Sequence, residues 1–270
     1  MLRRAKPLLG TLVEISCKVE NSADSSAAFT ASEAGFSAAA RIHALMSRHE
    51  AASEVSQFNT AEAGQWIPIS PDTLEVFLFS SQLSAQTQGV FDVFGARTTV
   101  RSTTGLWRNL EIDAIRCRLR KHVPLVADLG GVAKGYAVDV AIAALQRAGM
   151  TQGWVNAGGD LRVFGELEVP VMVRSPLNMS QLHECTRLIN AAAATSAHYA
   201  ESANTDERSR DACNLAIRHG QNQLAAEIGK SWTVVAPSAM VADALTKLVA
   251  LTGEVNHPLL AHYAARAWMY

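Results

Sequence analysis

Nothing in this chain marks it for a membrane, a nucleic acid or a zinc site. No apolar run approaches the ~20 residues that a bilayer-spanning helix needs, so the chain reads as soluble. Its 24 lysines and arginines are scattered and are matched by 25 aspartates and glutamates, a net charge of -1. That balance leaves no basic footprint for nucleic acid or an anionic lipid surface. The four cysteines, Cys17, Cys117, Cys185 and Cys213, stand far apart, with no Cys-x-x-Cys pair and no histidine at zinc-finger spacing. They read as reduced, mostly buried thiols of a cytosolic protein. Internal repeats, a dinucleotide fingerprint and a P-loop are likewise missing. What the chain does have is 270 residues, 49% of them apolar, enough for a substantial core without a metal or disulfide staple. No clean boundary divides it, and residues 1–270 read as one unit.

Strand and helix signals alternate irregularly. A first strand is expected from Gly10 to Glu20, and the polar turn Asn21 to Ser25 starts an alanine-rich helix ending near His49. Pro71 and Asp72 open a second helix that runs to Gln86 and is closed by Gly89. Val93 to Asn109 is polar and irregular. Short strands are expected around Ala114 to Arg120, Trp154 to Asn156, Leu161 to Phe164, Val169 to Val173 and Leu188 to Ala192, with a helix from Val132 to Ala148. The stretch His198 to Arg210, dense in polar residues, reads as a surface loop. Some strands follow one another directly, which argues for an α+β fold of mixed sheets with packed helices rather than a doubly wound parallel sheet.

The segment with most chemistry runs from Asp128 to Asp160. Asp128-Leu-Gly130-Gly131-Val-Ala-Lys134 stands where an apolar run turns into a helix, and Asn156-Ala-Gly-Gly-Asp160 follows that helix. Gly130 and Gly131 permit positive φ or a close backbone approach. Amides at a helix start favour an anion, Lys134 adds a cation in the first turn, and Asp128 can accept hydrogen bonds or help hold a metal. The same residues also read as a tight strand-to-helix connection beside a solvated lysine. Asp92 and Asp160 read equally as turn caps, Met46 as a core gap-filler and Asp139 as a solvated helix residue. Asp243 lies in the otherwise apolar helix Ala239 to Leu251, where aspartate has poor propensity.

The block from Asp128 to Asp160 resembles the signature of the FAD:protein FMN transferases, the ApbE-like flavin transferases. Leu9 to Ile15, Met46-Ser47, Ser53 to Asn59, Gly89-Val-Phe-Asp92 and Val234 to Leu245 are similar to further family segments, in the family's order. The resemblance implies a transferase that moves FMN from FAD, its substrate, to a threonine or serine hydroxyl of an acceptor protein and releases AMP. It implies Mg2+ held by the Gly131 carbonyl and Asp243, with Thr246 in support. Asp128 and Lys134 match flavin-nucleotide contacts, Met46 matches a residue near the flavin, and Asp92, Gly130, Gly131 and Asp160, in the matching segments, are expected to help bind FAD. Many such relatives are exported lipoproteins. Met1 to Cys17 imitates a secretion signal, but Glu14 interrupts its apolar run, and the stretch reads as structure. The expected location is the cytoplasm as written, or the periplasm if the true N-terminus is missing.

Two segments depart from the family pattern. Where the family has a threonine four residues after the helix aspartate, this chain has Lys247, with Thr246 just before it. Where the family supplies a histidine implicated in transfer, the counterpart Cys213-Asn-Leu-Ala-Ile-Arg-His-Gly220 has Cys213, and His219 lies six residues further on. No general base is named. The departures leave open an altered or inactive FAD-binding relative, or an FAD pyrophosphatase.

Overall fold

A computed structural model describes residues 1–19, 22–95, 105–175, 178, 180–198, 226–227 and 229–270. The framework is a seven-stranded sheet, antiparallel throughout its described pairings. Its strands, in chain order, are β1 (Leu2–Leu8), β2 (Thr11–Cys17), β6 (Gly153–Ala157), β7 (Asp160–Phe164), β10 (Ala192–His198), β11 (Lys230–Ala236) and β12 (Arg266–Met269), and they lie side by side in that same order. A small sheet joins β3 (Trp66–Pro68), β5 (Arg118–Lys121) and β4 (Leu110–Asp113), and β8 (Glu168–Arg174) pairs with β9 (Leu182–Ile189). The α+β expectation of mixed sheets with packed helices holds.

Strand alternation divides the large sheet into two faces. Phe164 of β7 and Ala192 and Ala194 of β10 join the main core, whereas Val163 and Ala193 join a smaller cluster with Val171, Val173 and Leu188 of the β8–β9 pair. The main core is filled from the helices α1 (Ser22–Met46), α4 (Ala133–Arg147) and α5 (Ala239–Thr252). Asp160 and Ser196 share the strand parity of Phe164 and Ala194, so both stand on the helix side of the sheet.

Local chemistry explains where the elements stop. The helix α3 (Pro71–Gln86) matches expectation because Ser70 caps it, accepting from the Thr73 amide at 3.3 Å, and Gly89 at φ 86° follows it. Glu54, in α2 (Glu54–Thr60), steadies that cap by accepting from the amide and hydroxyl of Ser70 at 2.8 and 2.9 Å. A short 3-10 helix occupies Leu106–Asn109, and α6 (Pro258–His262) precedes the last strand.

Several boundaries differ from expectation. The first strand is two, because Leu9 and Gly10 (φ 56° and 70°) fold Leu2–Leu8 back onto Thr11–Cys17; the N-terminal residues are structure, as read. The first helix ends at Met46, short of His49. The strand expected over Ala114 to Arg120 is the second arm of a hairpin whose turn includes Ala114, with Asp113 accepting from the Arg116 amide at 3.1 Å and Cys117 at φ 46°. Asn190 at φ 45° divides the expected Leu188 to Ala192 strand between β9 and β10. Of the described cysteines only Cys17 is fully buried. Residues 96–104, the loop expected from His198 to Arg210 beyond its first residue, and the Cys213 to Gly220 segment with His219 lie outside the described residues.

Candidate functional site

The site forms where α4 and α5 cross. Gly135 makes the crossing possible: a Cβ there would lie 2.2 Å from the Ala239 carbonyl oxygen. At that contact Asp243, fully buried in the second turn of α5, accepts from the Gly135 amide at 3.1 Å. The anion that the start of α4 favours is therefore supplied by the chain itself. Asp139 is no solvated helix residue either. Its two carboxylate oxygens accept from the amides of Ala239 and Met240, each at 2.9 Å, and Arg162 pairs with it at 2.5 Å. Burial raises the Asp139 pKa against the pull of Arg162 and the two amides.

Two lysine–carboxylate pairs lie side by side. Lys134, in the first turn of α4, is no mobile cation: it is bonded to Asp160, which the two-residue turn Gly158-Gly159 (φ 59° and 102°) delivers at the start of β7. Asn156 braces that turn by accepting from the Gly159 amide at 3.1 Å. Lys247, one helical turn after Asp243, is bonded to its carboxylate. Burial and the neighbouring Asp243 raise the Asp160 carboxyl to about 6, against Lys134 and Lys247. Burial opposes the charge of Lys134, but Asp160 and Asp243 hold its pKa above the ordinary lysine value. Burial alone would raise the Asp243 carboxyl; Lys247, Lys134 and the Gly135 amide hold it below the usual range.

The other expected residues divide between the rim of this site and the scaffold. Gly130 is exposed and Gly131 half-buried at the start of α4; neither has positive φ, so close approach is what they provide. The Gly130 amide donates to Asp128 at 2.9 Å, whose other oxygen meets the Arg48 guanidinium at 3.2 Å. Met46 is buried in the core at the end of α1. Asp92 is buried and accepts from the amides of Phe94 (3.0 Å), Leu106 (2.9 Å) and Trp107 (3.1 Å). Burial raises its pKa in spite of those bonds.

Sequence reading missed three supporting groups. Asn59 clamps Ala127, accepting from its amide at 2.7 Å and donating to its carbonyl at 3.0 Å. The buried Lys121 ammonium ties the same region by donating to the carbonyls of Asn59 and Leu125, each at 3.0 Å. Burial lowers its pKa. Ser196 of β10 lies 2.8 Å from the Thr246 hydroxyl. Asn59 stood inside a family-like segment, which was its one sequence signal; the partners of Lys121 and Ser196 depend on tertiary placement.

Magnesium needs oxygen ligands in a near-octahedral shell at about 2.0–2.1 Å. Of the donors expected for it, Asp243 and Thr246 do converge on one point beside Gly131, but Lys247 stands there. Its ammonium donates to Asp243, to Ser196 at 3.0 Å and to Thr246 at 3.2 Å, and a Cβ at Gly131 would touch its stem at 3.4 Å. The Thr246 hydroxyl itself donates to the Asp243 carbonyl at 2.7 Å. The residues as arranged do not fit a magnesium ion. Among the described residues, no cluster of three His, Cys, Asp or Glu side chains offers a metal site.

An antiparallel sheet carrying two crossed helices with interlocked ends, and a glycine turn opening onto paired lysines and carboxylates, defines a fold shared with known proteins. The family model "ApbE family" matches residues 9–267, and the chain belongs to that family. It is 29% identical, over an alignment of 149 residues, to the FAD:protein FMN transferase of Vibrio cholerae serotype O1, with 46% of this chain and 43% of that relative covered. The solved flavin transferase ApbE from Vibrio cholerae is 25% identical with a TM-score of 0.72, covering 93% of this chain and 86% of that one. The ApbE protein of Thermotoga maritima, 22% identical, superposes with a TM-score of 0.80 over 99% of this chain and 93% of its own.

Proposed function

We propose that this chain is a flavin transferase that takes FAD as substrate and moves its FMN part to a threonine or serine hydroxyl of an acceptor protein. The observation that carries the reading is the convergence of Asp128, Gly130, Gly131, Lys134, Asp160 and Asp243 around the start of α4 in a chain whose family match runs from 9 to 267. In this reading the Gly130-Gly131 turn lets the pyrophosphate approach the backbone, and Lys134 and Lys247, each paired with a buried carboxylate, keep those carboxylates from repelling it. The acceptor oxygen forms a new bond to the FMN-side phosphorus as its proton passes to solvent. The bond from that phosphorus to the bridging oxygen breaks, and AMP leaves with the electron pair. The magnesium implied by family resemblance has no part in this scheme.

A second reading, an FAD-binding relative that does not transfer, is favoured by one observation: all three N–H groups of Lys247 have protein acceptors. Flavin-free protein incubated with FAD and a peptide carrying a flavinylation-type threonine separates the two by intact mass. A peptide gaining the mass of FMN, with AMP released, is the expected result. FAD bound but unchanged selects the second reading, and no binding at all defeats both.

A further inference from the structure

We infer that Lys247 is a built-in cation that takes the place of a divalent metal, so that the site binds its dinucleotide with no metal requirement. This deepens the functional reading above and rests on it for the identity of the ligand. The argument begins with the cage. Asp243 Oδ1, Ser196 Oγ and Thr246 Oγ1 come from α5 and β10 and converge on one Nζ, giving an ammonium three acceptors for its three hydrogens. The hydroxyl hydrogens are already assigned in a consistent way: Thr246 donates to the Asp243 carbonyl, which leaves Ser196 to donate to Thr246. Each oxygen therefore turns a lone pair toward the lysine, as it would toward a metal ion.

Geometry and charge both exclude a second cation. The stem of Lys247 packs at 3.4 Å from the Cβ position of Gly131, so the side chain fills the space between the glycine turn and Asp243. Both oxygens of Asp243 already have partners, Oδ1 the Lys247 ammonium and Oδ2 the Gly135 amide. Two lysines already balance the two buried carboxylates Asp160 and Asp243. A divalent ion added here would meet an ammonium within hydrogen-bonding distance of the same oxygens, a strongly repulsive arrangement in a partly desolvated site.

The test uses Mn2+ alone as the first probe, followed by electron paramagnetic resonance of the free ion, on wild-type protein, Lys247→Thr and Asp243→Asn. Wild type is expected to take up no Mn2+ that Asp243→Asn abolishes, whereas Lys247→Thr gains one such ion. A site in wild type that is lost in Asp243→Asn overturns the inference. So does a Lys247→Thr protein that keeps the wild-type circular dichroism spectrum yet binds no Mn2+, since the cage would then not be a cation site. Lys247→Ser replaces the threonine variant if that one fails to fold. The second probe is FAD itself, titrated with Mg2+ and with EDTA. Wild-type affinity should be the same in both, while EDTA should weaken Lys247→Thr by about tenfold or more. A wild-type protein whose FAD affinity falls in EDTA overturns the inference. Failure to bind FAD under any condition defeats the functional reading instead, and the Mn2+ result still decides the nature of the cage.

Discussion

Asp139 and Asp243 are exchanged between two helices: Asp139, on α4, accepts from the first amides of α5, and Asp243, on α5, accepts from an amide in the first turn of α4. Each helix start, with its positive dipole end, is held by a carboxylate of its partner. Asp139→Ala removes acceptors from two amides and leaves Arg162 without its pair. The expected loss is about 1–2 kcal/mol, the usual worth of a helix cap. Urea denaturation measures it, and an unchanged midpoint would show that the reciprocal capping contributes nothing.

Gly135→Ala tests how tightly the helices cross. A methyl group 2.2 Å from a backbone oxygen forces α4 and α5 apart, and overpacking of this kind costs about 1–3 kcal/mol. Because Asp243 reaches α4 through Gly135, FAD affinity should fall along with stability. Thermal unfolding and FAD titration of the same sample check both, and unchanged values for the two would show that the crossing tolerates a methyl group.

Asp160 gives a pH signature. Its folded pKa, about 6, lies above its ordinary value of 3.8, so the folded protein holds that proton more tightly than the unfolded chain does. The stability associated with this proton is fully present below pH 3.8 and is lost as the pH rises to about 6. Asp243 has the opposite sign: its lowered pKa gives stability above the ordinary 3.8 that is lost as the pH falls through the folded value. Asp160→Asn should therefore flatten the stability profile between roughly pH 4 and 6, as followed by urea midpoints. A variant profile parallel to wild type across that window would contradict the assignment.

Asn59→Ala leaves the Ala127 amide and carbonyl without their partner just before Asp128. Buried groups orphaned in this way cost about 1–3 kcal/mol. Amide exchange at Ala127 should accelerate, and FAD affinity should weaken because Asp128 and the glycine turn lose their anchor. Protection at Ala127 equal to wild type would remove Asn59 from the support of the site.

The parts of this fold that were legible in the sequence are those governed by short-range chemistry. The span of α3 follows from Pro71, Asp72 and Gly89, and α4, expected over Val132 to Ala148 after the Gly130-Gly131 turn, runs from Ala133 to Arg147. The order of strands in the large sheet was not legible, because β2 pairs with β6 and β7 with β10 across long separations that no local pattern encodes. Left-handed residues outside glycine, Leu9, Cys117 and Asn190, hid three of the strand boundaries. In the site, residue types were readable and their partners were not. Lys247 stood out as a departure, but that it reaches Ser196, fifty-one positions away, only the packing of α5 on β10 reveals. Asp139 looked ordinary because its acceptor role lies on another helix a hundred positions on.

The lysine cage has a consequence for how such a site meets its surroundings. A metal ion exchanges with the medium, so a site that uses one follows the free concentration of that ion and competes with every nucleotide and organic acid that chelates it. The ammonium of Lys247 is covalently attached and has no dissociation rate. Its charge cannot be drawn off by a chelator, replaced by a softer transition metal or left unloaded after synthesis. A protein that carries its counter-ion as a side chain has exchanged adjustable charge for constancy, and a single codon sets which of the two it has.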